Sequence, residues 1–120
     1  MKITSQQLLE EARAQIKSIT VNELKSMMKK NIVEIIDVRD SDERTNKPHI
    51  SGSHHAGRGM LEFYFDPESG FHMEIFQSTK QFVFVCGSGA RASLAAKTAS
   101  DMGLTNIAYL DGGMKAWLDS

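Results

Sequence analysis

Apolar residues follow two alternating rhythms along this chain. Leu8, Leu9, Ala12 and Ile16 fall at three-to-four spacing, which predicts an amphipathic helix over Ser5–Ile16. Thr20 and Glu23 have the spacing of a capping box, in which the hydroxyl and the carboxylate satisfy each other's backbone amides. They open a second helix whose apolar face is Leu24, Met27 and Met28 and which ends at Lys29-Lys30-Asn31. The rhythm then changes. Ile32–Val38 and Gln81–Cys86 are almost continuously apolar and rich in β-branched or aromatic residues, as strands buried on both faces require. After the second run come Gly87-Ser88-Gly89, a helical pattern over Arg91–Met102, and Gly103 at the position of a left-handed C-cap. A third strand, Ile107–Leu110, leads through Asp111-Gly112-Gly113 into a last short helix, Met114–Leu118. Strands alternating with helices predict an α/β domain with a mostly parallel central sheet and helices on both faces. Pro48–Lys80 keeps neither rhythm; it is polar, holds all four histidines, and reads as loop with one short helix and a turn at Asp66–Gly70.

Composition narrows the function more than the fold. A length of 120 residues suits one compact domain. Fourteen Lys and Arg against fifteen Asp and Glu give a net charge of −1, so the basic footprint of a nucleic-acid binder is missing. The longest apolar run, Phe82–Cys86, is far shorter than the roughly 20 residues of a membrane span. Met1–Gln15 is polar and carries Glu10 and Glu11, unlike a secretory signal, and a cytoplasmic location is the expectation. The chain has one cysteine, Cys86. It can form no disulfide within the chain, no Cys-Cys metal knuckle and no pair with a resolving thiol.

That cysteine closes the second buried strand, at the edge where open α/β sheets bind ligands. Gly87 and Gly89 let the following backbone curl with its amides inward, a helix begins a few residues on, and Arg91 adds positive charge. All three favour an anion at the sulfur, hence a thiolate nucleophile. A cysteine ending an apolar strand also serves as simple packing, so the surrounding loop carries the argument. The loop lacks the Gly-Lys-Ser/Thr ending of a nucleotide-binding P-loop.

Cys86-Gly87-Ser88-Gly89-Ala90-Arg91 resembles the C-x-x-G-x-R active-site loop of the rhodanese family of sulfurtransferases. Ile35–Asp40 with Glu43 resembles the family's I-D-V-R motif and its acidic residue, His49–Ser53 its H-I-P-G-[AS] segment, and Leu110–Trp117 its closing G-G-x-x-A-W. The likeness runs from about Ile19 to Trp117 and leaves residues 1–18 as an N-terminal helical extension of a domain over 19–120. Ser51 replaces the usual proline, and Gly87 and Ser88 are smaller and less charged than many members carry there, so dianionic thiosulfate is expected to bind weakly.

The resemblance implies transfer of a sulfane sulfur through a persulfide on Cys86, from a small donor such as thiosulfate or a persulfide to cyanide or an external thiol, a protein thiol included. No cofactor and no metal are called for. It also implies that the amides of Gly87, Ser88, Gly89, Ala90 and Arg91 bind substrate, with Arg91 holding the donor or orienting the loop. Asp37 is expected to secure neighbouring loops, while Asp40, Asp42, Glu43 and Arg44 read as a solvated turn and helix start. His55, Arg58 and His72 are candidate rim residues by loop position. His54 and His55 are adjacent, point opposite ways on an extended chain, and chelate poorly. Two alternatives stay open: a non-catalytic binding module of the same fold, and a relative of the phosphatases and arsenate reductases, whose seven-residue loop is one longer than Cys86–Arg91.

Overall fold

The computed structural model describes residues 1–120. Five strands form one all-parallel sheet in the order β1-β5-β4-β2-β3. The strands are β1 (Ser18–Ile19), β2 (Val33–Asp37), β3 (His54–His55), β4 (Gln81–Val85) and β5 (Ile107–Leu110). The helices are α1 (Ser5–Gln15), α2 (Val21–Lys29), α3 (Ser41–Asn46), α4 (Leu61–Phe65), α5 (Ala90–Asp101) and α6 (Gly113–Leu118).

Strand β4 lies in the middle of the sheet, and its alternating side chains enter two cores. Phe82, Phe84 and Cys86 join Ile36, Val38 and Tyr109 beneath α1, α4 and α5. Val83 and Val85 join Ile35, Ala108 and Leu110 beneath α2 and α6. Both faces are thus covered, which is why β2 and β4 read as continuous apolar runs. Each large side chain buried this way contributes about 1.5–3 kcal/mol. Helix α5 meets the sheet through Ala92, Ala95, Ala96 and Ala99, all fully buried; such small residues let its backbone lie close to β4 and fix where its N-terminus points. Helix α1 packs across α5 by burying Ala12 and Ile16.

The capping boxes form as the spacing predicts: Thr20 Oγ1 accepts from the Glu23 amide, and the Thr20 amide donates to Glu23 Oε1. Thr4 and Gln7 make the same exchange ahead of α1. Gly103 takes φ +103, the left-handed cap expected there.

Three features depart from the sequence reading. Ser18–Ile19 is a strand, because its two residues complete the sheet beside Tyr109 and Leu110. Residues 41–46 are a full short helix rather than only a turn and helix start. Pro48–Lys80 contains β3, α4 and two 3-10 turns, Arg58–Met60 and Glu74–Gln77, rather than one helix. Its aromatic residues explain that order: Phe65 stacks edge-on against Phe76 at 4.7 Å and Phe84 at 6.0 Å, tying the segment to the sheet. No helix is long and apolar enough to cross a membrane.

Candidate active site

The site lies where β2, β4 and β5 end. Cys86 follows the last residue of β4 and is 1% exposed. Its Sγ accepts the backbone N–H of Gly89 at 3.1 Å and that of Ala92 at 3.3 Å. Gly89 caps α5 in the left-handed region, φ +106, a conformation a side chain strongly disfavours. That turn brings two amides of the helix N-terminus onto one sulfur. The α5 dipole, twelve residues long, points its positive end there as well.

A second helix holds the loop from behind. The Met114 amide donates to the Cys86 carbonyl at 2.8 Å, and the Lys115 amide donates to that of Gly87 at 3.1 Å. A trans peptide points its N–H opposite to its carbonyl, so these bonds turn the amides of Gly87 and Ser88 away from α6. The approach is so close that a Cβ on Gly113, at φ +57, would stand 2.4 Å from the Cys86 oxygen. The paired glycines after β5 are therefore part of the cysteine's setting.

Arg91 and Glu43 form a two-pronged ion pair across the loop. Nη1 donates to Oε1 at 2.6 Å and Nη2 to Oε2 at 3.0 Å. Glu43 is itself held by the Asp40 amide, which donates to Oε1 at 3.2 Å. Hydrogen bonding from Arg91 outweighs partial burial and holds the Glu43 carboxyl down to a pKa of about 2. Hydrogen bonding to Glu43, helped by the charges of Glu43 and Cys86 and opposed by desolvation, raises Arg91 above its ordinary value. Glu43 is thus not the solvated turn residue the sequence indicates, and neither is Arg44. Arg44 donates to Asp37 Oδ2 at 3.1 Å, to Ser53 Oγ at 2.9 Å and to the Ser53 carbonyl at 2.8 Å. Helix α3 buries no side chain, so nothing in the hydrophobic pattern marked these partners.

Asp37 is buried at the end of β2 and takes Arg39 Nη2 at 3.0 Å together with the Arg39 amide at 3.1 Å. Burial alone would raise its carboxyl, but the bonds and charge of Arg39 and the bond from Arg44 prevail and lower it. Arg39 in turn donates to the Pro48 carbonyl at 3.0 Å. Asp37 thus ties β2 to α3 and to the segment after it.

Each suggested rim residue is engaged by other partners, His55 at the strand end it shares with Asp37 and Val85. The ring Nε2 of His55 bonds the Arg39 carbonyl at 2.7 Å and is a strap between β3 and β2. Arg58 pairs with Glu62 at 3.0 Å and donates to Thr98 at 3.2 Å. Thr98 lies seven residues beyond Arg91, about 10 Å along α5. His72 bonds Gln77, which lines a cavity with Met102, Gly103 and Leu104 past the C-terminal end of α5. That end is about 18 Å from the cysteine end. No three His, Cys, Asp or Glu side chains cluster as a metal site.

A family model of the rhodanese-like domain matches residues 20–120. The chain belongs to the rhodanese-like family. The thiosulfate sulfurtransferase GlpE of Shewanella oneidensis is 28% identical over 101 residues, which span 84% of this chain and 91% of that one. Among solved structures, a human single-domain sulfurtransferase superposes with a TM-score of 0.74 at 23% identity, over 86% of this chain and 96% of the other, and shares the rhodanese-like fold. A protein of unknown function from Rhodopseudomonas palustris, described as a possible tyrosine phosphatase, superposes with a TM-score of 0.94 at 41% identity, over 99% of this chain and 92% of the other. At the level of the family, then, the chain is a sulfurtransferase-type transferase domain.

Proposed function

We propose that this rhodanese-like chain carries sulfane sulfur on Cys86. The observation that bears the reading is the pair of amides, from Gly89 and Ala92, aimed at Cys86 Sγ from the start of α5. The thiolate attacks the outer sulfur of a donor; a new S–S bond forms at Sγ while the donor's own S–S bond breaks, and the leaving sulfite or thiolate departs with the electron pair. The resulting persulfide is also an anion and rests in the same amide field. Gly87, Ser88, Gly89, Ala90 and Arg91 frame the donor. With no second cysteine in the chain, transfer onward goes to an external acceptor, a small thiol or a protein thiol. A free thiol nucleophile with a thiol acceptor suits the reducing cytoplasm.

The Rhodopseudomonas relative raises a second reading, phosphate ester hydrolysis by the same cysteine. One feature favours sulfur transfer: four residues separate Cys86 from Arg91, a short arc for cradling three phosphoryl oxygens.

Intact-mass spectrometry after incubation with a sulfane donor decides between them. The expected result is a gain of about 32 Da, one sulfur, on the wild type and none on Cys86→Ser, with cyanide removing it as thiocyanate. A folded protein that takes no sulfur from any sulfane donor overturns the reading, and hydrolysis of p-nitrophenyl phosphate by that protein would favour the second.

A further inference from the structure

Residues 59–79 hold four carboxylates, Glu62, Asp66, Glu68 and Glu74, and no lysine or arginine. The rest of the chain offsets them, since the whole carries only −1. This stretch folds into a lobe beside α5. The Met73 amide donates to the Tyr64 carbonyl at 3.0 Å, and Phe65 and Phe76 anchor the lobe from within. Two phenyl rings face outward: Phe63 is 51% and Phe71 63% exposed, and they meet edge-on at 6.4 Å. The flanking cations are engaged, Arg58 by Glu62 and Thr98, Lys80 by Asn31, and Lys97 of α5 by Asp101. Asp66, Glu68 and Glu74 form no ion pair. Beside Asp66 opens a cavity of about 240 Å³. Phe65, Phe76, Met102 and Leu104 give it apolar walls, and Gln77 and the C-terminal end of α5 complete its lining. Gln77 spends its Nε2 on His72, which leaves Oε1 to accept. Carboxylate, amide oxygen and helix C-terminus all favour a positive charge there.

We propose that this lobe is a docking surface for a protein partner that presents a basic segment, with one lysine or arginine side chain entering the cavity. Such a side chain joins an apolar stem to a cationic head. The stem lies against Phe76, Met102 and Leu104, and the head reaches Asp66, Gln77 and the carbonyl end of α5. The cavity is smaller than the roughly 300–1,000 Å³ of small-molecule sites, so it takes one side chain rather than a cofactor. Outside it, Phe63 and Phe71 offer aromatic surface to further cations of the segment, and Glu68 and Glu74 offer unpaired charge. The charge decides the class of occupant. Nucleic acid and anionic lipid headgroups are repelled. A second copy in a two-fold contact would set the same carboxylates against each other. The C-terminal end of α5 is about 18 Å from its cysteine end, so docking and the chemistry at Cys86 use separate surfaces.

The test titrates the peptide acetyl-Gly-Arg-Leu-Lys-Leu-Arg-Gly-amide into isotope-labelled protein and follows the backbone amide shifts by NMR. The same peptide with glutamate at its three basic positions is the second probe. The basic peptide should bind and move amides of residues 62–77 and 102–104, and the acidic one should not bind. Binding should weaken at least about tenfold in Asp66→Asn/Glu68→Gln/Glu74→Gln and about fivefold in Phe71→Ala. An equal loss of charge elsewhere, in Glu10→Gln/Asp42→Asn/Asp119→Asn, should change it by less than about twofold. The amide spectra themselves show whether each variant is folded. Shifts scattered over the surface, equal weakening in the two triple variants, or binding of both peptides or of neither overturns the proposal. Shifts of the same amides on raising the protein concentration without peptide assign the surface to a second copy and overturn it too. No readout depends on sulfur loading, so the sulfur-transfer reading stands or falls separately.

Discussion

The backbone amide of Met114 donates to the carbonyl oxygen of Cys86 at 2.8 Å, so a helix that follows the last strand holds the peptide of the candidate nucleophile. The contact exists because Gly113 has no side chain. Gly113→Ala would place a methyl 2.4 Å from that oxygen in a left-handed backbone. We expect it to destabilise the fold by about 3 kcal/mol or more and to lower sulfur loading of whatever remains folded. Urea unfolding and intact mass measure the two effects. Gly59→Ala, where nothing lies within 4 Å, is the control and should shift stability by less than about 0.5 kcal/mol.

Asp37 meets two guanidinium groups in the interior, one of them on Arg39, which is 2% exposed. Asp37→Ala leaves that buried charge unpaired and should cost about 3–5 kcal/mol. Replacing Asp37 and Arg39 together by apolar residues should cost less than the sum of the single changes. A double-mutant cycle by denaturant unfolding reads the coupling, and strict additivity would contradict the role given to this pair.

The Glu43–Arg91 clasp has its own acid signature. The carboxyl is depressed in the folded chain to about 2, so its contribution to stability is fully present above the usual value of 4.5 and is lost as pH falls toward 2. Wild type should exceed Glu43→Gln in unfolding midpoint at pH 7 and pH 5, with the gap narrowing between pH 4.5 and 2. A gap that stays constant over that range would show the clasp to be of no consequence for stability.

Helix α1 precedes the residues matched by the family model, yet Ile16 belongs to the core it shares with α5 and the sheet. Ile16→Ala should cost about 2–4 kcal/mol in denaturant unfolding. Helix α1 reaches α5 at Lys97, six residues beyond Arg91, so sulfur loading of the folded protein should be unchanged.

How much of this could be read from the amino-acid sequence varies with the force involved. Strands β2 and β4 were legible because burial on both faces leaves long apolar runs, and the cysteine's place followed from the end of one of them. Strand β1 was not, since Ser18 and Ile19 become a strand only by pairing with β5. Helix α3 was half-legible. It has helix-start residues but no buried face, and its purpose is electrostatic, reaching Arg91 and Asp37 over separations that periodicity does not record. The suggested rim was illegible for a related reason. Position within the polar segment says nothing about which end of the sheet a side chain faces, so Arg58 turned out to lie against the side of α5 and His72 beyond its far end.

The order of strands across the sheet has a temporal consequence. Strand β1 pairs only with β5, and the carbonyls of Cys86 and Gly87 are fastened by the amides of Met114 and Lys115, so the two halves of the chain must find each other before either is finished. Such long-range pairings close late in folding. Until residues 112–115 dock, the peptide that follows Cys86 has no support from behind. A thiol-alkylating pulse during refolding reads that closure: Cys86 is open to reagent in the unfolded chain and 1% exposed in the finished fold, so its protection should appear late, together with the docking of α6.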